Sequence, residues 1–251
     1  MLNLSKGAVI PYVMAGDPDI ETTKAVLRAL ADAGAAAIEL GVPYGDPLAD
    51  GPTIAAAGVR ALANGVGLIE TLALLRETAE ALPPVILFTY YNPIYQYGIE
   101  NFARDAKAAG AAGVIVPDVA LEESAHLREA LAANGLQMPL LVAPSTPLDR
   151  AKRIAGLSSG FVYVVSRLGV TGAGSTPDFS PLIAQLEQLR TVTDKPLAVG
   201  FGISKREHAE TVAPYADAVI VGSALIDAYS NGPQENSAAR AGAFLRTLTG
   251  R

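Results

Sequence analysis

The sequence predicts an α/β fold, a single-domain (β/α)8 TIM barrel, on three observations. Eight short apolar segments alternate with Ala- and Leu-rich segments of helical spacing. No linker or low-complexity segment divides the chain, and its 251 residues are a usual length for one such barrel. The predicted domain therefore covers residues 1–251. A doubly wound open sheet shows the same alternation and stays open as an alternative.

The predicted strands are rich in Val, Ile and Leu and lack strict apolar–polar alternation. This composition is typical of parallel strands that are buried on both faces. In chain order the strands are predicted at 8–14, 36–40, 84–90, 113–116, 139–143, 161–166, 196–199 and 217–221.

Glycine marks the end of three predicted helices, 23–33, 100–109 and 122–133. Gly34, Gly110 and Gly135 follow these segments, and a left-handed glycine is a common helix terminator. A last helix is predicted over 235–251, on the outside of the barrel. The two longest connections, 41–83 and 167–181, follow the second and sixth strands, so they are expected at the C-terminal face where barrel active sites lie.

The composition excludes several classes of function. The chain has 19 basic and 25 acidic residues, a formal charge of −6, and no Lys/Arg cluster, which argues against a nucleic-acid or membrane partner. It has no cysteine, so disulfides, thiolate metal sites and cysteine nucleophiles are excluded. No apolar run is long enough to span a membrane, and no secretory pattern precedes the first strand. A soluble, cytoplasmic protein is expected.

Glycine-rich turns after the last two strands predict a phosphate site. Gly202 follows the seventh strand, and Gly222 and Ser223 follow the eighth. Barrels often hold a phosphate there on backbone amides, and a Cβ would keep the anion away from them. The glycine-rich segment 169–174 is a candidate for further amides or a lid.

Two carboxylates are candidates for proton transfer. Glu39 lies within an apolar run at the carboxyl end of the second strand, and Asp50 follows in a proline-rich loop. A buried glutamate with a raised pKa can exchange protons near neutral pH. A structural ion pair or an exposed strand end is the alternative for Glu39.

Other chemistries lack the residues that they need. No lysine lies at the carboxyl end of a predicted strand, as a Schiff-base aldolase requires, and the chain has only two histidines. No nucleophile elbow and no Walker motif occurs. The chemistry that the sequence predicts is therefore metal-free proton transfer on a phosphorylated substrate.

Sequence blocks along the whole chain resemble one family. They are PYVMAGDP at 11–18, ELGVPYGDPLADGP at 39–52, YYNP at 90–93, VPD at 116–118, SRLGVTG at 166–172, GFGIS at 200–204 and GS at 222–223. The blocks are similar to those of tryptophan synthase α subunits. The resemblance implies a lyase of tryptophan biosynthesis that cleaves indole-3-glycerol phosphate into indole and glyceraldehyde 3-phosphate.

The resemblance also implies roles for individual residues. Glu39 matches the general acid/base, Asp50 the carboxylate that binds the indole N–H, and Tyr163 a tyrosine beside the reacting carbons. The remaining matches are Gly172, Gly202, Gly222 and Ser223 in the phosphate site, Tyr12, Tyr90 and Phe201 in the indole pocket, and Thr171 in the lid.

The partner that the resemblance implies is a tryptophan synthase β subunit in an α2β2 heterotetramer that receives the indole. Asp46 matches a residue at the subunit contact. Pyridoxal phosphate is expected only in that partner, so this chain is expected to need no cofactor and no metal. Two further hypotheses are a stand-alone lyase that releases free indole and a weakly catalytic subunit that mainly activates its partner.

The sequence departs from the family pattern in three places. Gly45 stands where Ser or Thr is usual, and Met14 stands where Thr is common. Most of the helix that usually precedes the first strand is missing, so another element or an exposed apolar patch is expected at the barrel bottom. The glycine is expected to loosen the loop between Glu39 and Asp50.

Overall fold

A computed structural model describes residues 4–166, 178–200 and 202–250. Within them lie eight parallel strands: β1 Ala8–Met14, β2 Ile38–Gly41, β3 Val85–Phe88, β4 Ala111–Ile115, β5 Leu140–Val142, β6 Val162–Val165, β7 Leu197–Gly200 and β8 Ala218–Val221. Their order in the sheet is β4-β3-β2-β1-β8-β7-β6-β5. Each predicted strand is present with small shifts at its ends, and the predicted fold class is confirmed.

The sheet closes into a barrel between β4 and β5, where Gln137, shortly before β5, pairs with β4. Gly113 and Gln137 form a parallel bridge. The Val114 N–H donates to the Gln137 carbonyl at 2.8 Å, and the Gln137 N–H donates to the carbonyl of Ala112 at 3.1 Å. A Cβ on Gly113 would lie 2.6 Å from the Gln137 carbonyl oxygen, so only glycine fits this approach. Closure excludes the open doubly wound sheet.

Helices surround the barrel. They are α1 Ile20–Asp32, α2 Pro52–Ala63, α3 Leu68–Thr78, α4 Tyr91–Tyr97, α5 Ile99–Ala108, α6 Ala125–Ala133, α7 Leu148–Leu157, α8 Ser180–Arg190, α9 Arg206–Val212, α10 Ser223–Ser230 and α11 Ser237–Thr249. Gly34, Gly110 and Gly135 have φ values of +85°, +97° and +69°, so the predicted helix terminators are confirmed. The long connection after β2 contains α2 and α3, and α11 packs against α1 and α10.

The barrel interior is filled at its N-terminal end and open at the other. Leu4, which precedes β1, and Phe161, which precedes β6, are buried there. They pack with Ala37, which directly precedes β2, and with small and branched residues of the strands, namely Ala8, Ile10, Ile86, Ile115, Ala198, Ala218 and Ile220. A second apolar cluster joins the outer face of the sheet to the helices. Near the carboxyl ends of the strands, by contrast, the interior holds a cavity.

No single helix in the described ranges is long and apolar enough to cross a membrane. The bent pair Pro52–Ala63 and Leu68–Ala81, with 93° between its halves, passes that test by length and composition alone.

An ion pair between a buried aspartate and an exposed arginine ties the turn after β1 to two helices. Arg60 on α2 donates from Nε to Asp17 Oδ1 at 2.7 Å and from Nη2 to Oδ2 at 2.9 Å. The Tyr229 hydroxyl on α10 donates to Oδ2 at 3.1 Å. The Asp17 side chain is 0% exposed, whereas that of Arg60 is 44% exposed. Hydrogen bonds to Asp17 raise the pKa of Arg60, and burial together with the Asp17 charge raises the pKa of Tyr229.

Replacing Asp17 by asparagine is expected to lower the free energy of unfolding by about 1–3 kcal/mol. The amide accepts fewer hydrogen bonds and carries no charge, so Tyr229 and Arg60 lose part of their pairing. Arg60 still reaches water, which limits the loss. Urea denaturation measures the difference. The control Glu122→Gln removes a carboxylate that pairs bidentately with Arg150 on the surface, and it should change little. Equal losses in the two variants would contradict the stabilising role of the buried pair.

Candidate active site

A cavity of about 320 Å³ opens at the carboxyl ends of the strands. It brings together seven of the predicted site residues: Tyr12, Glu39, Asp50, Tyr163, Gly202, Gly222 and Ser223. Thr171, Gly172 and Phe201 lie outside the described residues. Tyr90 and Asp46 do not line this cavity. In the described ranges, no group of three or more His, Asp or Glu side chains is arranged to hold a metal ion.

Glu39 is a buried carboxyl group. It lies in β2, opposite Tyr12 of β1 and Ile86 of β3. The residue is 1% exposed, and its Oε1 has no hydrogen-bond partner among the described residues. Burial raises its pKa from 4.5 to about 8. The side chain is therefore mostly protonated at neutral pH, and it can both give and take a proton there. The structural ion pair that the sequence left open does not occur within the described part of the chain.

Asp50 is held by a hydrogen bond from Tyr90. The Tyr90 hydroxyl donates to Asp50 Oδ1 at 2.8 Å and accepts from the Ala49 N–H at 3.1 Å. The Tyr90 ring packs on Tyr44, with 5.3 Å between the ring centroids. Burial raises the pKa of Asp50, and the Tyr90 hydrogen bond opposes this rise. Tyr90 is predicted in the indole pocket, but it contacts the carboxylate of Asp50 instead. Its place two residues after β3, the strand beside β2, is the signal that could have indicated this contact.

Tyr12 and Tyr163 lie across the barrel mouth from β1 and β6. The Tyr12 ring contacts Phe88 edge-on, at 5.7 Å between centroids and 86° between planes. Each tyrosine packs over a glycine at the end of the neighbouring strand, Tyr12 over Gly41 and Tyr163 over Gly200, where a Cβ would collide with the ring. Burial raises the pKa of both tyrosines well above 10, so both stay neutral in the physiological range.

The opposite end of the cavity is built from backbone. Gly202 has a φ of +85° and follows β7, while Gly222 precedes the first residue of α10, Ser223. No side chain of the described residues caps this helix N-terminus, and its first residues, Ser223 and Ala224, line the cavity, where an anion can accept from free backbone N–H groups. Asp227 of α10, which no sequence motif indicated, also lines the cavity.

A second, largely apolar cavity of about 400 Å³ adjoins the first. The two share Ala49, Phe88 and Tyr163 as lining residues. The second cavity extends toward β4 and β5, where apolar residues line it, among them Val116, Pro117, Leu141, Ala143 and Val165. The combined space suits an elongated ligand that has one anionic and one apolar end.

The loop after β2 forms the rim of the site. Asp46 is exposed there, and Leu48 is 79% exposed. A Cβ added to Gly45 would meet nothing within 4 Å, so packing does not require glycine at this departure from the family pattern. The Met14 methyl group lies 3.5 Å from where a Cβ of Gly58 would stand, so this second departure fills space between β1 and α2.

Comparisons with known proteins agree along nearly the whole chain. The family model for the tryptophan synthase alpha chain matches residues 2–248. The alpha chain of Rippkaea orientalis is 50% identical over 243 residues, which cover 96% of this chain and 91% of that protein. The alpha chain of Synechocystis is 52% identical, with coverage of 96% and 92%. A solved structure from the tryptophan synthase α2β2 complex of Pyrococcus furiosus is 38% identical, with a TM-score of 0.93 and coverage of 99% and 100%.

The raised pKa of Glu39 makes folding depend on pH. The unfolded side chain loses its proton above pH 4.5, whereas the folded one keeps it until about pH 8. Between these values folding takes up a proton, so stability falls as pH rises. Compared with Glu39→Gln, the wild type should lose up to about 1.4 kcal/mol of unfolding free energy per pH unit in this window.

Urea titrations of both proteins across the window measure this difference. Glu129→Gln, on the exposed face of α6, is the control and should follow the wild type at each pH. A constant difference between wild type and Glu39→Gln would contradict the raised pKa.

Proposed function

This chain belongs to the tryptophan synthase alpha chain family, and we propose that it cleaves indole-3-glycerol phosphate into indole and glyceraldehyde 3-phosphate. The proposal rests on the observation that two carboxyl groups and a helix N-terminus line one cavity. The cavity is lined by Glu39, which is buried and has no hydrogen-bond partner for Oε1 among the described residues, by the carboxylate of Asp50 and by the N-terminus of α10. These are the groups that acid/base cleavage of a phosphorylated substrate needs.

In the proposed mechanism, Glu39 transfers its proton to C3 of the indole ring, which becomes a positively charged electron sink. Asp50 accepts a hydrogen bond from the ring N–H and stabilises the developing positive charge. The Glu39 carboxylate then takes the proton of the glycerol hydroxyl next to the ring. That oxygen forms the aldehyde carbonyl, the bond to C3 breaks, and its electron pair restores the aromatic ring. Glu39 gives one proton and takes one back, so it ends the reaction protonated as it began. The steps use no metal.

The cavity supports one orientation of the substrate. The phosphate would bind the amides at the start of α10 and beside Gly202, because the helix N-terminus favours an anion. The ring would lie toward Phe88 and Tyr163, where the apolar cavity begins. In this orientation the bond to be broken would lie between the two ends of the site, near Glu39 and Asp50. Tyr163, which stays neutral, would pack beside the reacting carbons.

The partner in this proposal is a tryptophan synthase β subunit, in an α2β2 assembly like that of the Pyrococcus furiosus complex. The exposed rim of the loop after β2 would form part of the contact, with Asp46 and the apolar side chain of Leu48. The indole that forms next to this rim would pass to the partner. Pyridoxal phosphate would belong to the β subunit, because the proposed cleavage needs only side chains of this chain.

Steady-state release of indole by the purified chain, with and without a β subunit, tests the function. We expect slow turnover alone and strong activation by the partner. Fast turnover alone would favour a stand-alone lyase. Negligible turnover in both cases, with a rise in the partner's own activity, would favour a weakly catalytic subunit. Failure to release indole under any condition would overturn the proposal.

Glu39→Gln is expected to lower kcat by about a thousandfold or more, because glutamine keeps the shape but cannot carry the proton. The dissociation constant for the substrate should change little. Indole formation and equilibrium binding measure the two effects separately. Glu129→Gln, the same change on the surface, should keep the wild-type rate. An unchanged rate in Glu39→Gln would refute the acid/base assignment.

Asp50→Asn is expected to lower kcat less, by about ten- to a hundredfold. The amide oxygen still accepts from the indole N–H and from the Tyr90 hydroxyl, but it no longer balances positive charge on the ring. The same indole assay measures the rate. A loss as large as that of Glu39→Gln, or no loss, would argue against this division of roles.

A further inference from the structure

Within the described ranges, the residues of a charged type that line the first cavity, the one that contains Glu39, are all acidic. They are Glu39, Asp50 and Asp227, and no lysine or arginine joins them there. Two of the three carboxyls have an evident explanation. Glu39 is mostly protonated at neutral pH, and Asp50 is bound to Tyr90. No such role accounts for the third carboxyl, that of Asp227.

Asp227 lies close to the anion site by helix geometry. It is four residues after Ser223 on α10, so both side chains lie on the same face of the helix, and both line the cavity. The residue is exposed, and no hydrogen bond or ion pair of its side chain occurs among the described residues. It is also the fifth residue of α10, beyond the first turn, so it does not cap the helix. These observations give its carboxylate no structural role.

We propose that Asp227 determines how tightly the site binds phosphate esters, by repelling the anion held at the N-terminus of its own helix. This inference rests on the proposed function, which puts a phosphate there. The substrate and the product glyceraldehyde 3-phosphate both carry the group, so the repulsion weakens the binding of both. Backbone amides and the helix dipole attract the phosphate, and Asp227 offsets part of that attraction. A ligand without charge is not affected.

Asp227→Asn should therefore increase the affinity for phosphate. At low ionic strength we expect the dissociation constant for inorganic phosphate and the KM for indole-3-glycerol phosphate to fall by about three- to sixfold. The ratio between wild type and variant should approach one as salt is added, because ions screen exposed charges. The dissociation constant for indole, which has no phosphate, should not change. Titration calorimetry and the indole assay supply these values.

Two variants serve as controls. Asp227→Glu keeps the charge and should behave as the wild type does. Asp32→Asn removes the same charge from the exposed C-terminal end of α1, at the opposite end of the barrel, and should leave phosphate binding unchanged. If Asp32→Asn tightens binding equally, net charge and not position is responsible, and the inference is wrong.

The outcomes separate this inference from the proposed function. Indole release by the wild type, with no change of phosphate affinity in Asp227→Asn, overturns the inference alone. Tighter phosphate binding in Asp227→Asn without any indole release supports the inference and overturns the proposed function. No measurable phosphate binding by any of the proteins at low salt, together with an equal KM in wild type and Asp227→Asn, overturns the inference, whereas the indole assay alone decides the proposed function.

Discussion

The burial of Glu39, which has no charged partner among the described residues, is the constraint on which the site depends. A carboxylate in that position would be poorly solvated, so the protonated form is favoured and the pKa rises to about 8. The closed barrel makes this burial possible, because β1 and β3 flank β2 in the sheet. The fold loses stability as pH rises from about 4.5 to about 8, but the side chain keeps a proton at the pH where the proposed reaction needs one.

Asp50 and the phosphate end are fixed by contacts that reach across the fold. The Tyr90 hydroxyl, just beyond β3, donates a hydrogen bond to Asp50. Helix α2 begins at Pro52, two residues after Asp50. That helix is tied through Arg60 to Asp17, which also binds Tyr229 on α10. The helix proposed to bind the phosphate is therefore linked to the helix that follows Asp50. One cluster outside the cavity thus joins elements from both of its ends.

The electrostatics of the cavity explain how acidic groups and an anionic substrate can share one site. Protonation removes the charge of Glu39, and in the proposed function backbone amides would supply the attraction that lysine or arginine supplies elsewhere. Amides need close approach by an anion, which Gly202 and Gly222, the glycines that follow β7 and β8, would allow. Asp227 is the remaining charge near the phosphate end, and its effect on affinity follows from position alone.

Much of this protein is determined by sequence pattern: the eight strands, the glycine-terminated helices, and Glu39 and Asp50 at one mouth. Apolar periodicity and turn residues are local properties, so they can be read along the chain. The tertiary structure decided the rest, including barrel closure through Gln137, the hydrogen bond of Tyr90 to Asp50, two helices in the connection after β2, and Asp227 beside the anion site. Those features join groups that are far apart in sequence. The degree of burial that shifts a pKa exists only once the chain has packed.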